Sequence, residues 1–183
     1  MNNKGMTLVE VIVSLILIVI VMIFIFSILI DLKNEDYLSN SKSEDAIKRT
    51  EIIHLIENDF INYHLKEITN SNSCQNNAKF CLGFKFYDIS DKNLLFFDDH
   101  LVYDNEVWYI SLGKFETEKL TWCYTETLPL YRYFSITIPI THDAAVKRKT
   151  TIDLSYISTK EDVKFSMPTY LRLSNGTQIN KSC

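Results

Sequence analysis

The chain has 183 residues, of which 46% are hydrophobic, 13% aromatic and 23% charged, and its formal net charge at pH 7 is −4. The residues that follow the first 30 number about 150, enough for one domain with its own core. The aromatic content supports folding, and the charge gives no reason to expect nucleic acid as a partner.

The N-terminal region contains an apolar run from Val11 to Ile30 in which Ser14 and Ser27 are the only polar side chains. Twenty residues at about 1.5 Å rise each give a helix of about 30 Å, the thickness of the hydrocarbon core of a bilayer. Many of these residues favour strands in water, but a single spanning segment must satisfy its own backbone hydrogen bonds. The sequence therefore predicts a transmembrane helix over residues 6–30.

A secretory signal peptide and a plain single-pass anchor are the two common alternatives for an apolar N-terminus. A secretory signal is shorter and ends in an Ala-x-Ala cleavage site, and no such site follows here. A plain single-pass anchor stays open, yet it gives no reason for a carboxylate, Glu10, at the head of the run. A carboxylate near hydrocarbon is costly, which indicates a partner for it.

The residues around Glu10 form a recognisable pattern, which reads Lys4-Gly5-Met6-Thr7-Leu8-Val9-Glu10. Followed by an unbroken apolar run, it resembles the leader of type IV prepilins and pseudopilins. The resemblance implies cleavage after Gly5, so that residues 1–5 are a leader, and N-methylation of Met6. It also implies that Glu10 pairs with the Met6 amine of a neighbouring subunit in a filament core. Met6 departs from the family, which more often has Phe there.

Orientation follows from the charges on either side of the apolar run. Lys4 and the initiating amine precede it, and the side with basic charge stays in the cytoplasm. The N-terminus is therefore expected in the cytoplasm and the remainder outside the cytoplasmic (inner) membrane, reaching the cell surface when assembled. By resemblance the partners are other pilin or pseudopilin subunits, a prepilin peptidase/methyltransferase, an assembly platform with a cytoplasmic motor ATPase, and membrane lipid.

The next segment, residues 31–69, is expected to be an amphipathic helical stem. No glycine or proline lies between Gly5 and Gly83. Apolar residues recur at intervals of three and four residues, at Ile53, Ile56, Phe60 and Tyr63. Residues 39–43 have poor helix propensity, and Ser41 with Glu44 matches a capping box, so a break is predicted there. The Ser/Asn-rich residues 70–77 are expected to end the helix.

Residues 70–183 are expected to form an extracytoplasmic antiparallel β domain. The aromatic and β-branched runs predict strands at 80–87, 94–97, 101–103, 107–112, 120–124, 133–140, 150–157 and 170–173. Asp104-Asn105 suits a tight hairpin, and Asn175-Gly176 indicates a type I′ turn. A long helix followed by such strands predicts an α+β, pilin-like fold.

Four cysteines, Cys74, Cys81, Cys123 and Cys183, follow the apolar run and allow three disulfide connectivities. We favour Cys74–Cys81, which closes the loop after the helix, and Cys123–Cys183, which ties the C-terminus to a central strand. Free thiols stay open as an alternative. A zinc site is disfavoured because no Cys-x-x-Cys or Cys/His spacing is present.

Other groups of residues in the sequence could suggest sites, but ordinary structural roles explain them. The acidic residues Asp98, Asp99, Asp104 and Glu106 lack the alternation and glycine of a calcium loop. Lys147-Arg148-Lys149 is typical of a solvated turn, so no direct contact with nucleic acid is expected. Trp108 and Trp122 lie within strand patterns and are expected in the core. The four histidines have no metal-ligand spacing, and no catalytic motif is present, so we expect no metal, no cofactor and no enzyme activity.

The sequence therefore predicts a minor pilin-like (pseudopilin) subunit that acts in filament assembly. Its long β domain favours a low-copy initiator or tip subunit over a repeated shaft subunit. A filament-tip adhesin or substrate-binding module carried by the same helix stays open. An enzyme on a simple anchor would need a catalytic group that the sequence does not contain. Secretion, DNA uptake and surface motility use the same leader, so the machine is left open.

Overall fold

The computed structural model describes residues 8–70, 77–110, 113–127, 131–142, 149–158 and 166–183. The chain divides into two units, Met1–Lys42 and Ser43–Cys183. In the first unit, the described residues are 8–42, and all of them are helical. The second contains the end of the same helix and all the strands that the structure describes.

Helix α1 covers Leu8–Asn62 and continues through residues 39–43, so the predicted break is absent there. No glycine or proline interrupts this segment. The Lys48 ammonium lies 2.6 Å from the Glu44 carboxylate, an i,i+4 pair that favours helix just beyond the expected break.

The C-terminal end of α1 differs from the prediction, because residues 65–69 form a strand and not the end of a helical stem. Strand β1 covers Leu65–Thr69 and buries Leu65 and Ile68. His64, with φ of 53°, has the left-handed conformation that commonly follows a helix end. Burial of Leu65 and Ile68 in the sheet therefore decides the boundary.

Sheet 1 contains five antiparallel strands in chain order: β1, β2 (Phe80–Phe86), β3 (Lys92–Phe96), β4 (His100–Tyr103) and β5 (Glu106–Tyr109). The hairpin between β4 and β5 is confirmed. Asp104 and Asn105 have φ of 49° and 70°, as a two-residue type I′ turn requires. Tyr103 and Glu106 are therefore the first paired residues on either side of the turn.

Sheet 2 is built around the long strand β8 (Tyr131–His142). This strand pairs with β6 (Gly113–Phe115), β7 (Thr121–Thr127) and β9 (Lys149–Ser158), all antiparallel. A separate hairpin joins β10 (Tyr170–Arg172) to β11 (Gln178–Asn180). The α+β layout with antiparallel sheets is confirmed, while β1, β6 and β11 were not predicted; β6 and β11 have three residues each.

The turn at Asn175-Gly176 is not of the predicted type. Gly176 has φ of 87°, but Asn175 is not among the residues with positive φ, and a type I′ turn needs both. The Gly176 amide donates to the Leu173 carbonyl at 3.0 Å, and the Leu173 amide donates to the Thr177 carbonyl at 2.9 Å. The connection is therefore a three-residue loop, with glycine in the left-handed position.

The core of the second unit is one cluster that joins the end of α1 to both sheets. The helix contributes Ile52, Ile56 and Phe60, which are buried, whereas Ile53 and Tyr63 are only partly buried. The Phe60 ring lies 4.9 Å from the Phe84 ring of sheet 1 and 5.7 Å from the Tyr156 ring of β9, both edge to face. One helical side chain therefore contacts both sheets.

Candidate functional site

The apolar segment Val11–Ile30 lies entirely within α1, and its large apolar side chains are exposed. Ser14 is the one residue of the segment that is partly buried, and its hydroxyl donates to the Val11 carbonyl at 2.8 Å. Among the described residues, α1 is the helix long and apolar enough to cross a membrane. A continuous apolar surface of this length fits a membrane anchor.

Glu10 lies in the first turn of α1 and its side chain is exposed. A carboxylate at this end of a helix interacts favourably with the helix dipole. The predicted cleavage and methylation residues, Gly5 and Met6, lie outside the described residues. Of the predicted site residues of the motif, Glu10 is thus the one that the structure describes, at the N-terminal end of α1 and directly before the apolar segment.

The comparisons with known proteins match this same segment. The family model for the prokaryotic N-terminal methylation motif matches residues 1–30. These residues carry the prepilin signature of type IV pilins and pseudopilins. The prepilin signature supports processing by a prepilin peptidase and assembly with other pilin subunits. No curated protein and no solved structure matches the chain.

A partly buried ionic cluster links the last turns of α1 to sheet 1. Asp59 is only 7% exposed, and its Oδ2 accepts a hydrogen bond of 2.7 Å from the Tyr103 hydroxyl. The Lys92 ammonium lies 2.9 Å from the same Asp59 oxygen and 3.0 Å from the Asp104 carboxylate. We refer to Asp59, Lys92, Tyr103 and Asp104 as the Asp59 cluster.

The protonation of this cluster follows from its burial and contacts. Burial alone lowers the pKa of Lys92, but hydrogen bonds to Asp59 and Asp104 outweigh it and raise that pKa above its ordinary value. Burial and the bond to Asp59 both raise the pKa of Tyr103 far above its usual range. At neutral pH the ammonium therefore stays charged and the phenol stays protonated, so both donate to Asp59.

A second contact joins α1 to sheet 2. One carboxylate oxygen of Glu57 accepts hydrogen bonds from the Ser155 amide at 2.9 Å and from its hydroxyl at 3.2 Å. Ser155 lies on β9, whereas the Asp59 cluster involves β3 and β4. Two carboxylates of one helical turn therefore fix the helix to both sheets.

The C-terminus is tied to sheet 2 by a disulfide between Cys123 on β7 and Cys183, with a Cα–Cα distance of 5.0 Å. This is the pairing favoured from the sequence. The Ser182 amide and hydroxyl also donate to the Trp122 carbonyl, each at 2.9 Å. Cys81 is disulfide-bonded as well. The predicted pair Cys74–Cys81 involves Cys74, which lies outside the described residues.

Three of the four acidic residues named as a possible calcium site contact basic side chains of the protein. Lys79 pairs with Asp98, His100 contacts Asp99 at 2.9 Å, and Lys92 pairs with Asp104. Within the described parts of the chain, no group of three or more His, Cys, Asp or Glu side chains is placed to hold a metal ion.

The remaining sequence candidates are spread over the second unit. Trp122 is buried and donates from Nε1 to the Ile179 carbonyl at 2.9 Å, while Trp108 packs partly buried against the core. Lys149 begins β9, and Lys147 and Arg148 lie outside the described residues.

Sequence reasoning missed the Asp59 cluster and Glu57. One signal was present for the cluster: Asp59 follows Ile56 by three residues and Ile52 by seven, so it falls on the apolar face of the helix. A charged residue on such a face usually has a buried partner. The identity of that partner, Lys92, depends on a contact 33 residues away in the chain.

Within the described part of the second unit, two open grooves are found. One of about 650 Å³ follows the helix along a single face, with lining residues Ser43, Ala46, Ile47, Thr50, Glu51, His54, Leu55 and Asn58. The other, of about 340 Å³, lies between the end of β1 and residues 166–170. Glu67 and Ser166 form a parallel bridge beside it.

Proposed function

We propose that this chain is a minor pilin-like (pseudopilin) subunit of a type IV filament, or of a type II secretion or competence machine, with a role in starting assembly. A prepilin peptidase cleaves after Gly5, Met6 is methylated, and the apolar segment holds the protein in the cytoplasmic membrane with its N-terminus inside. A platform with a motor ATPase then moves the subunit into the filament.

One observation carries this proposal: the prepilin signature is continuous with a helix whose apolar side chains are exposed from Val11 to Ile30. A plain single-pass membrane anchor would account for the apolar surface of the helix but not for the prepilin motif. In the filament, the Glu10 carboxylate would pair with the Met6 amine of the next subunit. Because each subunit would place its Glu10 beside the Met6 amine of the next, this pairing would set the axial register of the filament.

The test compares two Glu→Gln variants of the same helix, Glu10→Gln and Glu35→Gln, because both glutamates are exposed in α1. Mass spectrometry of the native membrane protein should find a chain that begins at Met6 with one added methyl group. Glu10→Gln should be cleaved normally, yet enter sheared filaments about tenfold less than wild type or worse. Glu35→Gln should match wild type in both assays.

Two results would contradict this proposal in different ways. An intact Met1 leader on the native protein would leave an ordinary membrane anchor. Normal filament entry of a cleaved Glu10→Gln chain would keep the pilin assignment and remove the proposed pairing.

The alternative, a tip adhesin or substrate-binding module, is favoured by exposed apolar side chains on sheet 1, notably Val107 and Tyr109. Deletion of the gene distinguishes a role in filament assembly from a role in binding at the filament tip. Loss of the filament itself supports assembly, whereas an intact filament that no longer binds its target supports the binding module.

A further inference from the structure

The last three residues of the chain, 181–183, lie along the outer edge of strand β7. This strand pairs with β8 on one side, and among the described strands none pairs with its other side. The Ser182 amide and hydroxyl both donate to the Trp122 carbonyl at 2.9 Å, and the Lys181 ammonium donates to the Tyr124 carbonyl at 2.9 Å. We refer to residues 181–183 as the C-terminal strap, because they cover two backbone carbonyls of an edge strand.

The hydrogen bonds of the strap are too few to hold it firmly by themselves. All three of its residues are exposed, and the net gain from three such bonds is no larger than the entropy lost when three residues are ordered. The chain just before the strap is held separately, because Ile179 pairs with Leu171 and accepts a hydrogen bond from Trp122 Nε1. The bond from Cys183 to Cys123 therefore decides whether the strap stays on β7.

This disulfide is accessible to a reagent in solution. Cys183 is exposed and Cys123 is half-buried, whereas Cys81, which is also disulfide-bonded, is only 2% exposed. The rate of thiol–disulfide exchange depends on access to the sulfur that is attacked and on the leaving thiolate. A thiol can therefore reach Cys183 in the folded protein, but it cannot reach the Cys81 sulfur without an opening of the core.

The Thr125 side chain lies beside both sulfur atoms of the bond. Its hydroxyl oxygen is 3.6 Å from Cys123 Sγ and 3.7 Å from Cys183 Sγ. A disulfide sulfur carries no proton, so the hydroxyl is the donor in both contacts. A hydrogen bond to a thiolate favours the charged form, and a thiolate of lower basicity leaves faster. Thr125 is thus placed to assist the departure of Cys123 when Cys183 is attacked.

We propose that Cys123–Cys183 is a thiol–disulfide exchange site, and that its reduction by a dithiol releases the C-terminal strap from the edge of β7. A thiolate of the dithiol attacks Cys183 Sγ and forms a new S–S bond, while the Cys123–Cys183 bond breaks and its electron pair stays on Cys123 as a thiolate. The second thiol of the reagent loses its proton and attacks the mixed disulfide. Cys183 then leaves as a thiolate, and the dithiol ends as its own disulfide.

The exchange site is separate from prepilin processing, which takes place at the other end of the chain. A failure of this proposal would therefore leave the proposed function unchanged.

The test uses the full chain in detergent micelles, with dithiothreitol as the dithiol and no denaturant. Samples taken over time are alkylated with iodoacetamide and analysed by mass spectrometry. Cys123 and Cys183 should be labelled at least about tenfold faster than Cys81, because only they are accessible in the folded protein. Hydrogen exchange at the Ser182 amide should become at least about tenfold faster after reduction, whereas exchange at the buried Ile136 of β8 should not change.

The variants Thr125→Val and Thr125→Ser form a matched pair at an exposed position of β7. Valine keeps the shape of threonine without the hydroxyl, whereas serine keeps the hydroxyl. Thr125→Val should slow the reduction of Cys123–Cys183 about threefold or more, and Thr125→Ser should be reduced nearly as fast as wild type. Exchange at the Ser182 amide of the oxidised protein should be the same in both variants, because Thr125 acts on the leaving thiolate and not on the position of the strap.

Three results would contradict the proposal. Labelling of Cys81 as fast as that of Cys123 and Cys183 would mean that reduction requires unfolding of the core. An equally protected Ser182 amide before and after reduction would mean that the hydrogen bonds hold the strap without the disulfide. Equal reduction rates for Thr125→Val and Thr125→Ser would remove the assisting role of the hydroxyl.

Discussion

Two regions of helix α1 have the same secondary structure and opposite environments. In Val11–Ile30 nearly every side chain is apolar and the large ones are exposed, whereas the stretch from Ile52 to Phe60 mixes charged and apolar residues and buries one face. The second region packs against the strands of its own chain. The exposed apolar surface of the first region fits a membrane anchor.

The largest difference in the free energy of unfolding is expected when a Phe→Ala substitution is made in each of the two regions. Phe60 is 0% exposed and Phe24 is 70% exposed. Phe60→Ala should lower the free energy of unfolding of the second unit by about 4 kcal/mol, because it leaves a cavity between two sheets. Phe24→Ala should leave that free energy unchanged. Denaturant titration followed by the fluorescence of Trp108 and Trp122 measures both; equal losses would contradict the separation of the two environments.

The disulfide should affect only the second region. Cys123 and Cys183 are 60 residues apart, so the double variant Cys123→Ala/Cys183→Ala should lose about 4 kcal/mol by the usual chain-entropy estimate. Membrane retention, which depends on the first region, should not change. Denaturation of the variant and of wild type, both without reductant, gives the difference. An unchanged midpoint would show that the contacts of Ser182 with Trp122 hold the C-terminus without it.

The next expected effect is the loss of a buried charge in the second region, compared with an exposed charge that lies between the two regions of α1. Asp59→Ala should cost about 3 kcal/mol, because Lys92 loses one of two carboxylates and Tyr103 loses its acceptor. Glu35→Ala, at an exposed helical position, is the control and should cost less than about 0.5 kcal/mol. A cost for Asp59→Ala as small as that of the control would mean that the cluster does not fix the helix to sheet 1.

The smallest expected effect is a dependence on pH. The folded-state pKa of Tyr103 is raised far above the unfolded value of about 10, so its contribution is complete below pH 10 and is lost as the pH rises above that value. Lys92 and Tyr156 are raised too and act in the same direction. Tyr103→Phe should cost about 1 kcal/mol at pH 7 and flatten the decline in stability above pH 10.

Tyr109→Phe is the control for this measurement, because Tyr109 is exposed and contacts no carboxylate in the cluster. Its stability should follow the wild-type curve from pH 7 to 11. A wild-type slope in the Tyr103→Phe variant would assign the alkaline decline to other groups.

The sequence by itself determined the features that depend on local pattern. A run of twenty mostly apolar residues preceded by a charged motif is recognisable without neighbours, because a spanning helix satisfies its own backbone. The Asp104-Asn105 hairpin follows from residues that tolerate positive φ. Most strands of the two sheets were predicted from their β-branched and aromatic residues, because these residue types favour strands locally.

Only the tertiary structure decided the features that depend on distant contacts. Nothing in residues 62–65 stops a helix, and α1 ends there because Leu65 and Ile68 are buried when β1 pairs with β2. The short strands β6 and β11 acquire their conformation from β8 and β10, since three residues carry too little pattern of their own. Asp59 meets Lys92 and Tyr103 only after the helix packs on the sheet, because the free energy of that cluster comes from burial that no local segment provides.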